Sequence, residues 1–147
     1  MALFPLLGAL LHSQNMAPVP SDGDPPKTVQ ILSMDLSAGN YGERRFAGRE
    51  LRRAARVSSR RLERAAPDSL EALEARKTLG ELSRYALPAC MTQLTEPATA
   101  LFCAQILGEL GEPSALPTVQ AALDSPDTPR RARRALRQTQ ATLQEKP

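Results

Sequence analysis

A chain of 147 residues with 3% aromatic residues, no Trp and an apolar fraction made mostly of Ala and Leu favours close helix packing in one domain over a sheet or a large ligand pocket. The net charge of +3 conceals segregation: residues 43–64 carry nine Arg against three Glu, residues 65–124 carry three basic against eight acidic side chains, and the remainder is basic again. The two Cys, Cys90 and Cys103, lie outside any close metal-binding or redox spacing, and His12 is the lone histidine, so a zinc site lacks ligands and a His-dependent triad has only this leader residue to recruit.

Residues 2–11 form an apolar run, too short to span a bilayer, which takes about 20 residues. The run resembles the apolar part of an export signal without a basic residue before it or a clear small-x-small cleavage site. A cytoplasmic chain with a flexible leader over residues 1–27 is the expectation. The alternative is export, with residues 1–17 as an atypical signal. "APVPSDGDPP" reads as a linker because its Pro, Gly and Asp content interrupts a helix, and residues 28–147 form the expected folded unit.

"VQILSMDL" suits a short first helix or turn. "NYGERRFAGRELRRAA" then predicts a helix with Phe46, Ala47, Leu51 and Ala54 inward, followed with little linker by a second helix, "SSRRLERAA". In "APDSLEALEARKTLGEL" Asp68 and Glu71 have capping-box spacing, and Ala72, Ala75, Leu79 and Leu82 share one helical face. Ala100, Cys103, Leu107 and Leu110 repeat that face, each 28 positions later.

After each "LGEL" the chain is expected to turn and restart, since Pro88 and Pro117 fit the first turn of a following helix, with Ser114 as the later cap. Cys90, Met91 and Leu94 in one copy, and Val119, Ala122 and Leu123 in the other, would turn the second helix back on the first. The final helix is predicted to start at Pro129, capped by Thr128, with Ala132, Ala135, Leu136 and Leu143 as its apolar stripe.

"ALFCAQILGELGEPSALPTVQAALDSPD" resembles the HEAT-like repeat, in particular the short form first described in phycobilisome lyases: a helix ending Leu-Gly-x-Leu-Gly, a Pro-containing turn, Ala-Leu-Pro and a second Ala/Leu-rich helix. "ALEARKTLGELSRYALPACMTQL" is similar but has Ser83 at the second turn glycine, and "NYGERRFAGRELRRA" resembles an opening helix through Arg44, Ala47 and Leu51. Ala72 and Ala100 stand where the pattern often carries Arg. The resemblance covers residues 36–143 and implies an all-α fold, an α-solenoid of three to four stacked antiparallel helical hairpins, as a HEAT-like or armadillo-type superhelix. It implies no lyase activity, as no residue pattern identifies a bilin site.

Function in such an architecture usually means holding something. The expected role is a non-catalytic protein-protein interaction or scaffold module without a cofactor, its partner another protein with an acidic surface. The alternative is binding of a nucleic-acid phosphate backbone through the Arg-rich first hairpin and the C-terminal helix. Arg45, Arg49, Arg52, Arg53, Arg56, Arg60 and Arg61, with Arg130 and Arg134, are the candidate binding residues. Scarce aromatics argue against base stacking. Glu71, Glu74, Glu81, Glu109 and Glu112 read as solvating helix residues, and Cys90 and Cys103 as buried small hydrophobes.

Overall fold

The computed structural model describes residues 27–145, all of them helical or in turns and loops. The leader, its linker and His12 lie outside the described residues. Thr28 starts α1 (Val29–Ala38), its hydroxyl oxygen accepting from Ile31 N–H at 3.2 Å. After Gly39, Asn40 and Glu43 form a reciprocal capping box, with backbone-to-side-chain distances of 2.8 and 2.9 Å, that opens α2 (Tyr41–Arg64).

α2 is one helix of 24 residues, where the sequence suggested two. No Pro or Gly interrupts it after Gly48, and the suspected junction at Ser58 is simply a small buried residue in the helix interior. The expected Arg-rich first hairpin is therefore a single helix, and α1, which carries no Arg, packs on it. The cap of α3 (Leu70–Glu81) also moves by one: Ser69, rather than Asp68, accepts from Ala72 N–H at 3.1 Å.

The expected turn after the first "LGEL" does not form. α3 runs on through a π-helical turn (Leu82–Ala86) into α4 (Leu87–Met91), and Leu87 N–H donates to the Leu82 carbonyl. Pro88 has no N–H to offer the carbonyl four residues back and would crowd it, and the widened turn immediately before it accommodates the ring. In the second copy α5 (Ala100–Leu110) does stop, because Gly111 adopts φ 63°, ψ 30° and closes the helix end by donating to the Leu107 carbonyl. Ser83 occupies the matching place in the first copy, where a left-handed conformation carries a Cβ penalty.

A 3₁₀ turn (Pro113–Ala115) containing Ser114 leads into α6 (Leu116–Asp124), so Ser114 is no cap. α7 (Arg130–Gln144) begins one residue after Pro129, and Thr128 donates its hydroxyl to the Ala122 carbonyl instead of capping α7. Arg133 reaches the same corner, donating to the carbonyls of Leu123 at 2.8 Å and Ser125 at 2.6 Å.

α2, α5 and α7 pack in succession; α1 lies beside α2, α4 beside α1 and α5, and α6 makes its principal helix contact with α7 rather than folding back along α5. Leu36, Leu51, Leu82, Ile106, Leu107 and Leu136 are fully buried in this core, as are Cys90 and Cys103 as free thiols. Burial pushes the Cys90 thiol well above its ordinary value, helped by its hydrogen bond with Cys103. No described helix is long and apolar enough to cross a membrane.

Candidate partner-binding surface

The fusion of α2 into one helix decides how its arginines are displayed. At about 100° and 1.5 Å per residue, Arg45, Arg49, Arg52, Arg53, Arg56, Arg60 and Arg64 share an arc of about 120° along about 28 Å of axis. Ala47, Leu51, Ala55 and Ser58 occupy the opposite, buried side.

Along one edge of this arc α5 holds the guanidinium groups. Phe102 of α5 packs directly on Gly48, and the guanidinium carbons of Arg45 and Arg52 lie 5.6 and 5.5 Å from its ring centroid. Both are within cation–π range. Arg52 also donates to Gln105 Oε1 at 3.1 Å, and one turn on, Arg56 pairs with Glu109 at 3.7 Å. Phe102, Gln105 and Glu109 are spaced three and four apart, so one α5 stripe fixes three α2 arginines.

Arg49, Arg53, Arg60 and Arg64 are exposed and have no carboxylate within 4.0 Å among the described residues. These are the site's free cations. Beyond Arg56, α5 floors a polar trough of about 280 Å³ whose far wall is Gln138, Thr139 and Thr142 of α7. Thr139 itself is spent structurally, donating to the Ala104 carbonyl at 2.7 Å.

At the other end of the arc a cavity of about 400 Å³ opens between the end of α2 and the start of α3, lined by Val57, Arg60, Arg61, Arg64, Ala65 and Glu71. Arg130 and Arg134 are exposed on the side of α7 away from its buried stripe and line neither space. The structure thus gathers the α2 candidates and leaves the two α7 candidates apart.

Sequence reasoning missed the α5 side of the surface. Phe102 and Gln105 were not singled out and Glu109 read as a solvating helix residue, yet an aromatic in a chain with only three Phe, followed at helical spacing by polar residues, was a usable signal. Arg44, noted only for its spacing, is a structural tie, donating to the Leu36 carbonyl at 3.2 Å and to Gln93 and Glu96 in the loop after α4. Among the described residues no group of three or more His, Cys, Asp or Glu is placed to hold a metal ion. Comparison of the chain with family models, curated proteins and solved structures finds no match.

Proposed function

We propose that the chain is a short solenoid-like stack of helices, related to the HEAT-like repeat but without its regular hairpins, that works as a non-catalytic interaction or scaffold module, offering the outward face of α2 to a protein with an acidic surface. The observation that carries this reading is the single Arg arc of α2, in which Arg49, Arg53 and Arg60 stand free of carboxylates while Phe102 restrains Arg45 and Arg52 beside them. Guanidinium groups held in place lose less freedom when they meet carboxylates, and charge-assisted pairs are the strong hydrogen bonds. The solenoid reading is supported by the succession α2, α5, α7 and by the 28-residue register between Leu79 and Leu107.

The test is fluorescence anisotropy of a labelled acidic peptide with the full chain and with the Arg49→Glu, Arg53→Glu double variant. Binding that weakens with salt and drops at least about tenfold in the variant supports the proposal. A DNA duplex that binds more tightly than the acidic peptide, and is lost in the same variant, would replace it with the nucleic-acid reading.

A further inference from the structure

We propose that the cavity between the end of α2 and the start of α3 takes the phosphoryl group of a phosphorylated partner protein, held by Arg60, Arg61 and Arg64. The inference rests on the reading of α2 as a partner-binding helix and names the chemistry that one end of it selects.

Three arginines, Arg60, Arg61 and Arg64, line a space of about 400 Å³. None has a carboxylate within 4.0 Å among the described residues, although Glu71 shares the wall. Arg61 and Arg64 lie in the last turn of α2, where positive charge offsets the helix dipole. That role asks only for charge near the helix end, and does not require three arginines to line one cavity. A phosphoryl group brings about −1.5 to −2 charge at pH 7 and three strong acceptor oxygens, a match for three planar forks. A single carboxylate has one charge and two oxygens, and faces the same repulsion from Glu71. Val57, 40% exposed, and Ala65 supply an apolar wall for the residues flanking a phosphorylated side chain.

Two observations favour a phosphoprotein over a nucleic acid. The cavity lining contains no aromatic side chain on which a base would stack. Further along α2, Arg45, Arg52 and Arg56 are engaged by Phe102, Gln105 and Glu109, which leaves Arg49 and Arg53 as the free cations there, fewer than a polyphosphate backbone would follow.

The experiment uses the full chain and a short fluorescein-labelled peptide carrying one phosphoserine between apolar residues, with its unphosphorylated twin, inorganic phosphate and a DNA duplex as comparisons. The phosphopeptide is expected to bind at least about tenfold more tightly than its twin and to be displaced by inorganic phosphate. The Arg61→Gln, Arg64→Gln double variant, with its helical circular dichroism intact, is expected to lose that preference. Glu71→Gln, which removes a negative charge from the cavity and leaves the arginines in place, is expected to strengthen phosphopeptide binding severalfold. Equal binding of the two peptides, a folded double variant that keeps the preference, or a Glu71→Gln protein with unchanged affinity overturns the proposal. So does a DNA duplex that outcompetes the phosphopeptide and depends on the same two arginines. If the acidic peptide still requires Arg49 and Arg53 while phosphorylation makes no difference, the cavity inference alone fails. If the acidic peptide ignores Arg49 and Arg53, the broader reading of α2 falls.

Discussion

Gly48 of α2 seats the ring of Phe102 of α5: a Cβ built on Gly48 would stand 2.7 Å from Phe102 Cδ2 and 3.1 Å from Phe102 Cβ. The contact sets how closely the two helices approach, and with it the ring that Arg45 and Arg52 share. Gly48→Ala is expected to destabilise the protein by about 1 to 2 kcal/mol, because overpacking outweighs the gain in helix propensity. Gly80 is the internal control. It is exposed within a helix and a Cβ there meets nothing within 4 Å, so Gly80→Ala is expected to stabilise by about 0.5 to 1 kcal/mol. Urea unfolding of both variants measures the two signs.

Gly111 is the one described glycine at positive φ. Gly111→Ala forces a side chain into the left-handed region and is expected to cost about 1 to 2 kcal/mol by thermal or urea unfolding. An unchanged midpoint would mean that α5 ends for some other reason.

The two leucines that open the repeated phrase are unequal. Leu107 is fully buried between α5 and its neighbours, whereas Leu79 is only half-buried. Leu107→Ala is expected to cost about 2 to 5 kcal/mol and Leu79→Ala less than half as much. Equal losses would contradict the difference in packing described for the two copies.

How much of this was legible beforehand can be read from the same phrase. The apolar register was: Ala72, Ala75 and Leu82, and Ala100, Cys103 and Leu107, are buried as helical spacing requires. The expected hairpin did not form in the first copy, and in the second α6 packs on α7 rather than back along α5. Ser83 lacks the glycine that lets the chain reverse, and Pro88, read as the start of a new helix, is absorbed by a π-helical turn. Proline stops a helix only where the backbone cannot widen to admit it, and that depends on surrounding packing rather than local sequence. The arginines of α2 were visible as a cluster, but their split into held and free members was not, since it depends on Phe102, Gln105 and Glu109 some 50 positions away in sequence.

Cys90 links packing to pH. Its thiol pKa is raised in the fold by burial and by Cys103, so the folded state retains a proton that the unfolded chain releases above about pH 8.5. The corresponding stability is complete below that pH and declines as pH rises toward the folded pKa, by about 1.4 kcal/mol per pH unit while the two states differ by one proton. Urea midpoints from pH 7.5 to 10, in buffers of constant ionic strength, are expected to fall less steeply in Cys90→Ala than in the parent. Lys27, raised by its 2.7 Å hydrogen bond to Asp35, acts in the same direction but only above the ordinary lysine range near pH 10.4. An identical slope in parent and variant would remove Cys90 from the account.

The central claim is that the free arginines of α2 form the contact surface, and the most direct measurement is an NMR titration of arginine side-chain Nε–Hε signals with the acidic peptide. Arg49, Arg53 and Arg60 are expected to shift together and saturably, while Arg44 and Arg133, already bonded to backbone carbonyls, stay in place. Shifts concentrated on Arg130 and Arg134 of α7, or none on α2 at saturation, would contradict it.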